Sequence, residues 1–233
     1  MGTLLNRRRY MGGDVQPYTK EGYIKKGLIF HLDGLNDGGV GGHWIDLVQG
    51  ADFSLTNVVK DGDGFLFADS NSTAIDDNPT IPTTAPSPCT TEFVMKRVSD
   101  LGARTNINES IIFGTKTTSY GPWIRIIAAY SSGTGQHFRF FTGKNSYRLI
   151  DISSWPINMT CSISENGGFV NFVENELSMN TSGYGNPSNC SIKGISISLR
   201  HCAIRIYDRP LSKDEVLHNQ QVDNQRFNLG LNI

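Results

Sequence analysis

The chain has 233 residues and a formal net charge of −1 at pH 7, with 18% charged and 38% hydrophobic residues. This balance gives no basis for binding nucleic acid or an anionic membrane through overall charge, and no apolar run approaches the roughly 18 residues of a membrane span. The 25 glycines, together with many Ser, Thr and Asn residues, favour short strands joined by turns. The composition therefore indicates one large all-β domain, or such a domain with an arm.

The first 22 residues differ from the rest of the chain. They carry three consecutive arginines and a Gly-rich stretch, without strand alternation or a helical apolar stripe. Such a segment is expected to be disordered alone and ordered by a partner, with an ordinary frayed terminus as the alternative. No apolar core follows the arginines, so no secretory signal is predicted. The predicted docking residues are Arg7, Arg8, Arg9, Tyr10 and Met11.

From residue 26 onward the pattern becomes that of β-structure. Short apolar runs at 27–32, 44–48, 52–55 and 65–67 are separated by Gly- and Asp-rich turns, and residues 70–90 are predicted as a long loop. Further strands are predicted at 91–97, 109–113, 122–129, 137–141, 146–151, 158–164, 168–173, 191–198 and 202–208, and a helix at 213–226. A spacing of roughly 10–15 residues favours a two-sheet sandwich over βαβ units.

The last strand and the helix after it carry the strongest local signals. Pro210 cannot donate to a sheet, so the strand must end before it. Ser212 and Glu215 have the spacing of a capping box, which fixes the start of the helix. Leu211 and Val216 are placed to form a hydrophobic staple across that start.

Three segments of the chain together resemble a known superfamily. They are the run Gly27–Gly34 with Trp44–Leu47, the segment Phe169–Leu177 with a turn expected at Glu174-Asn175, and the terminal strand with its capped helix. In this order they resemble the concanavalin A-like lectin/glucanase superfamily, in its laminin G-like branch, over roughly residues 25–230.

This resemblance implies an all-β fold. The expected fold is a two-sheet antiparallel jelly-roll sandwich with a short C-terminal helix, spanning residues 23–233 and preceded by the extended arm at 1–22.

The arm carries a second resemblance. Leu4–Gly13 looks like the N-termini of virion proteins of tailed phages from gut bacteria. This implies a virion structural or decoration protein of a capsid, tail or fibre, assembled in the host cytoplasm. Its partners would be other virion proteins and glycans, in a homo-oligomer or multi-copy assembly, without nucleic acid or membrane. A free carbohydrate-binding lectin is the alternative.

The sequence predicts no catalytic residues. Glucan-cleaving members of the superfamily carry two Glu flanking an Asp on one strand, so that alternation places all three on one face. Here Glu174 and Glu176 flank Asn175 at an expected turn, and no other stretch fits. The protein is therefore predicted not to be an enzyme, and a glycoside hydrolase is the less favoured alternative.

No cofactor is predicted, but a calcium site stays open. Laminin G-like sandwiches often bind calcium at a loop rim through carboxylate and carbonyl oxygens. The candidate ligands are Asp33, Asn36, Asp37 and Asp46, with Asp61 and Asp63 as a second possibility. Short Asp-, Asn- and Gly-containing loops are more often simple turns.

The four cysteines lack zinc-site spacing, and Cys161 and Cys202 lie on apolar strand faces. They are expected to be reduced thiols that pack in the core.

Several strands of the second half place an arginine opposite their apolar residues. Alternation within each strand predicts that these arginines and nearby aromatic residues share an outward face. Aromatic rings stack on sugars, and arginine forks bind carboxylate or hydroxyl groups. A glycan-binding face, possibly for acidic sugars, is one interpretation; a solvated face or a protein contact is the other. The residues of this predicted face are Trp123, Arg125, Arg139, Arg148, Arg205 and Tyr207.

Overall fold

The computed structural model describes residues 22–36, 41–69, 71–76, 90–98, 110–115, 125–131, 135–141, 147–151, 158–164, 167–175, 190–194 and 198–232. The strands of the first half are β1 (Leu28–Asp33), β2 (His43–Ile45), β3 (Asp52–Thr56), β4 (Val58–Asp61), β5 (Gly64–Phe67), β6 (Thr73–Asp76), β7 (Thr90–Arg97) and β8 (Ser110–Thr115). Those of the second half are β9 (Arg125–Ser131), β10 (Gly135–Phe141), β11 (Tyr147–Asp151), β12 (Asn158–Ser164), β13 (Gly167–Val170), β14 (Val173–Asn175), β15 (Cys190–Lys193) and β16 (Leu199–Tyr207). A helix, α1 (Lys213–Arg226), follows β16.

The strands form two antiparallel sheets. The first sheet has the order β14-β13-β12-β7-β16-β5-β4, and β1 also pairs with β16. The second sheet has the order β11-β10-β9-β8-β15-β6-β3-β2. Among the described strands, half of the pairs join strands that are not consecutive in the chain, such as β7 with β16 and β8 with β15, as in a jelly roll. The predicted all-β, two-sheet architecture with a short C-terminal helix is confirmed.

Aromatic side chains join the two sheets. Phe30 of β1 packs against Phe53 of β3, with ring centroids 5.9 Å apart. Trp44 of β2 packs against Phe65 of β5 at 4.6 Å. All four side chains are buried, and burying a large apolar side chain contributes about 1.5–3 kcal/mol. The main hydrophobic core therefore lies between the two sheets.

The opposite face of the first sheet is covered by α1 and the residues after it. Tyr207 packs with Leu211 and Val216, and Ala203 packs with Phe227 and Leu229. From Ala203 to Tyr207 the residues of β16 therefore alternate between the core of the sandwich and the layer under α1. Cys202, at a bulge in the strand, also belongs to the layer under α1.

The start of α1 is fixed as the sequence predicts. The Ser212 hydroxyl accepts from the Glu215 amide at 3.3 Å, and the Glu215 carboxylate accepts from the Ser212 amide at 2.9 Å. Glu215 also accepts from the Arg209 guanidinium at 2.6 and 2.8 Å, and these bonds lower the pKa of Glu215 to about 2. The predicted staple residues Leu211 and Val216 lie in one apolar cluster.

The turn after β13 differs from the prediction. It lies at Asn171 and Phe172, which have φ values of 47° and 69°, and not at Glu174-Asn175. Two residues with positive φ give a type I′ turn that matches strand twist. Phe172 is an unusual residue for this conformation, and its amide donates to the Gln220 side chain of α1 at 2.8 Å. The turn is therefore held by tertiary contacts that local sequence does not reveal.

Two strands were not predicted from the sequence. β6 lies inside the segment expected to be a long loop, and β4 pairs with β5 through the tight turn at Gly62. Within the described ranges no helix is long and apolar enough to cross a membrane. Cys161 and Cys202 are buried free thiols, as predicted.

Candidate functional site

The residues predicted to share one outward face are divided between the two sheets. β16, with Arg205 and Tyr207, belongs to the first sheet, whereas β9, β10 and β11 are neighbours in the second. Arg205 is 1% exposed and Tyr207 is fully buried. The prediction that these two residues face outward is wrong, because α1 folds back over that face of β16.

Arg205 is the centre of a buried polar cluster under α1. Its two terminal nitrogens donate to the two carboxylate oxygens of Asp223, each at 2.7 Å. Its Nε donates to Glu92 of β7 at 2.9 Å. Thr160 of β12 donates its hydroxyl to Asp223 at 2.9 Å. A buried charge is tolerated only when it is paired and hydrogen-bonded, and this arrangement meets that requirement.

Asn219 of α1 belongs to the same cluster and links Glu92 to Tyr207. Its amide nitrogen donates to Glu92 at 2.9 Å and lies 3.0 Å from the Tyr207 hydroxyl. Burial raises the pKa of Glu92 to about 7, although the charge of Arg205 lowers it. One Glu92 oxygen has no hydrogen-bond partner among the described atoms, so the carboxyl is poised to bind a proton near neutral pH.

The beginning of the described chain is fastened to the same cluster. The Tyr23 hydroxyl donates to Asp223 at 2.8 Å, and the Arg205 guanidinium lies 4.2 Å from the centre of the Tyr23 ring. The Ile24 amide donates to the Asn219 side chain at 3.0 Å. Tyr23 is buried. The point from which the predicted arm extends is therefore fixed on the α1 side of the first sheet.

In the second sheet, register decides which arginine positions share a side. Directly paired residues of antiparallel strands lie on the same side of a sheet. One series of paired positions runs Ala74, Ile192, Phe113, Ile126, Phe140 and Arg148. Ala74 and Ile192 are fully buried, so this series marks the inner side. Position 148 therefore lies on the inner side, and the prediction that it joins the outward face is wrong.

Positions 125 and 139 lie on the opposite, outer side. Arg125 pairs with Phe141, which pairs with Tyr147. In the next row Arg139 pairs with Ile127 on one side and Leu149 on the other. Arg125 and Arg139 are thus diagonal neighbours on one side of the sheet. Register brings these two predicted positions together.

Other predicted residues lie outside the described ranges. This applies to Trp123 of the predicted glycan face, to Asp37 of the predicted calcium site, and to Arg7, Arg8, Arg9, Tyr10 and Met11 of the predicted arm.

The carboxylates of the predicted calcium site are used inside the fold. Asp33 accepts from the amides of Leu35 and Asn36 at 2.8 and 3.2 Å, and from the Arg226 guanidinium at 2.8 Å. Asp46 accepts from the His31 amide at 2.6 Å and from two amides of its own turn. Burial raises the pKa of Asp33 and of Asp46 to about 6. Both side chains therefore stabilise turns.

No group of three or more His, Cys, Asp or Glu side chains that could hold a metal ion is found within the described ranges. Asp61 and Asp63, the second possibility for calcium, pair with basic side chains. Arg200 donates to both residues, and Lys96 donates to Asp63 at 2.5 Å. Calcium binding by this chain remains a prediction.

Sequence reasoning missed two polar arrangements. The buried cluster of Arg205, Asp223 and Glu92 joins residues 18 and 113 positions apart, which no local pattern reveals. His43 and Asp52 form a partly exposed pair across β2 and β3, with Nδ1 and Oδ1 2.8 Å apart. The two short strands were predicted at 44–48 and 52–55, but their pairing was not, and it is the antiparallel register of β2 and β3 that places His43 beside Asp52.

Comparison with known proteins finds likeness only at the level of structure. No family model and no curated protein matches the chain. A Trypanosoma rangeli sialidase in complex with sialic acid superposes with a TM-score of 0.61 at 16% identity, over 97% of this chain and 40% of the sialidase. The binding domain of botulinum neurotoxin serotype D gives a TM-score of 0.61 at 13% identity, over 84% of this chain and 51% of that one.

The chain thus spans about half or less of the length of these neighbours. At such identities the likeness shows the fold alone, an all-β sandwich. The prediction that the protein is not an enzyme is contradicted, because several of the similar structures are sialidases. That prediction is not retained.

Proposed function

We propose that the protein is a carbohydrate-binding attachment module of a phage particle, with its N-terminal segment docked into the particle. The observation that carries this proposal is that the beginning of the described chain and the candidate glycan-binding positions lie on opposite sides of the sandwich. The beginning of the described chain, at Tyr23 and Ile24, is bonded to α1 on the outer side of the first sheet. Arg125 and Arg139 lie at outer positions of the second sheet. A module with this arrangement can be attached to a particle through the α1 side and bind a glycan through the outer side of the second sheet.

The lectin-like fold and the residue types of the outer positions support glycan binding. Arg125, Phe141 and Tyr147 form one cross-strand row, and Arg139 lies in the next. Aromatic rings stack on sugar rings, and arginine forks bind oxygen pairs. A glycan array probed with the full chain tests this function. Reproducible binding to at least one glycan is expected, and an array without any binding would contradict the proposal.

The basic N-terminal segment and its resemblance to phage virion proteins support the docking role. Replacing Arg7, Arg8 and Arg9 with alanine is expected to reduce incorporation into phage particles, measured by mass spectrometry of purified particles. A matched control replaces Lys25 and Lys26, two exposed residues just after the segment, with alanine. Equal incorporation of both variants would contradict docking through the arginines. Absence of the unmodified chain from particles would contradict the virion role itself.

A further inference from the structure

The outer side of β9, β10 and β11 carries an ordered set of positions. The first row is Arg125, Phe141 and Tyr147; the second is Ile127, Arg139 and Leu149; the third is Ala129, His137 and Asp151. Directly paired positions lie about 4.5–5.5 Å apart and diagonal ones about 7–8 Å apart. Two arginines and two aromatic residues therefore lie at neighbouring positions within three adjacent strands.

We propose that positions 125, 139, 141 and 147 form a binding site for a carboxylate-bearing sugar, an inference that rests on the proposed glycan-binding function. The guanidinium group has a planar fork that matches a carboxylate, and the resulting charge-assisted bonds are roughly twice as strong as neutral ones. Phe141 and Tyr147 add aromatic rings suited to the apolar face of a sugar. A site for neutral sugars would need only the rings and uncharged hydrogen-bonding groups.

The charges at these nine positions favour an anionic ligand. Arg125 and Arg139 contribute two positive charges, and Asp151 contributes one negative charge in the third row, opposite His137. Arg139 lies between Ile127 and Leu149, so its pair neighbours carry no carboxylate. Asp151 is a diagonal neighbour of Arg139 and lies two rows from Arg125, so the nine positions keep a net charge of +1 with His137 neutral.

Arg148 provides a matched control for the location of the site. It belongs to the same strand as Tyr147 and Leu149, but register places it on the inner side of the sheet. Arg139→Ala and Arg148→Ala remove the same group from neighbouring strands on opposite sides. Arg139→Lys keeps the charge and removes only the fork, which separates recognition of a carboxylate from attraction to a general negative charge.

The experiment measures binding of the full-length protein to polygalacturonate and to its methyl ester, which lacks the negative charges. Near-UV circular dichroism checks that each variant is folded. Polygalacturonate is expected to bind more tightly than its ester. Arg139→Ala and Arg125→Ala are each expected to weaken that binding about tenfold or more, Arg139→Lys to weaken it less, and Arg148→Ala to leave it within about twofold.

Each other outcome overturns a different property of the proposed site. Equal binding of polygalacturonate and its ester would overturn the acidic class and leave glycan binding intact. An equal loss in Arg148→Ala and Arg139→Ala would overturn the location. Binding of neutral array glycans without binding of polygalacturonate would overturn the inference alone, whereas no binding to any glycan would overturn the proposed function with it.

Discussion

The guanidinium of Arg205 and the carboxylate of Asp223 form a two-point ion pair, with both nitrogen–oxygen distances at 2.7 Å and both side chains no more than 1% exposed. This pair joins the last strand to the helix that covers it. Glu92, Thr160 and Tyr23 complete its hydrogen bonds. The cluster therefore links the sheet, the helix and the beginning of the described chain.

Asp223→Asn is expected to lower the free energy of unfolding by about 3–5 kcal/mol, because it leaves the buried charge of Arg205 without its main partner. Urea unfolding followed by tryptophan fluorescence measures the change. Lys213→Ala is the control, since it breaks the exposed pair between Lys213 and Glu174 and is expected to cost less than about 1 kcal/mol. Similar losses in the two variants would contradict the structural importance of the buried pair.

Glu92 is expected to make stability depend on pH near neutrality. Its pKa is about 7 in the folded protein and has the ordinary value of 4.5 when unfolded. A carboxyl with a raised pKa binds more protons in the folded state. Its contribution to stability is therefore fully present below pH 4.5 and is lost as pH rises to about 7 and slightly beyond.

The variant Glu92→Gln isolates this effect. His31 and His201 have lowered pKa values, because burial disfavours their charged forms, and they make stability rise with pH in part of the same window. The difference between Glu92→Gln and the unmodified protein removes these common terms. Relative to the unmodified protein, the variant should gain on the order of 1–3 kcal/mol in unfolding free energy between pH 5 and pH 8. A constant difference across this range would mean that Glu92 does not titrate there.

Tyr23→Phe tests whether the beginning of the described chain is bound to α1. The variant keeps the ring beside Arg205 and loses only the hydroxyl bond to Asp223. We expect faster hydrogen exchange at the Ile24 amide, which is bonded to Asn219, and a loss of about 1–3 kcal/mol in stability. Unchanged exchange at Ile24 would show that this bond does not hold the segment.

The thiols of Cys161 and Cys202 should be inert in the folded protein. Burial raises the pKa of both thiols above the ordinary value, and only a thiolate reacts readily. Iodoacetamide followed by peptide mass mapping is expected to leave both residues unmodified until denaturant is added. Rapid modification of either cysteine under native conditions would contradict its buried position.

Local signals in the sequence were sufficient for some elements of the fold. The helix over residues 213–226 and its capping box agree with the structure, because a cap depends on residues within one turn. The alternation predicted for β16 holds for Ile204 and Ile206 on one side and Arg205 on the other. It fails at Cys202, because a bulge between His201 and Ala203 places Cys202 in the same apolar cluster as Ala203. Alternation distinguishes two faces, but it does not show which face another element covers.

The prediction that Arg148 faces outward was wrong for a different physical reason. Tyr147 and Leu149 are large and apolar, so composition favours placing them inward. The register of β11 against β10 instead pairs them with Phe141 and Arg139. A shift of one residue in register moves every side chain of a strand to the other side of the sheet. In a hairpin this register is set by the turn that connects the strands. Pairing of this kind lies beyond what a single strand's pattern can predict.

We propose that the N-terminal docking segment and the glycan-binding positions act independently. The most direct test is the affinity for polygalacturonate of a full-length chain in which Arg7, Arg8 and Arg9 are replaced by alanine. We expect an affinity equal to that of the unmodified protein, because the proposed binding positions lie on the second sheet and Tyr23 is bound on the α1 side of the first. An affinity as low as that of Arg139→Ala would contradict it, since the arm would then be part of the glycan site.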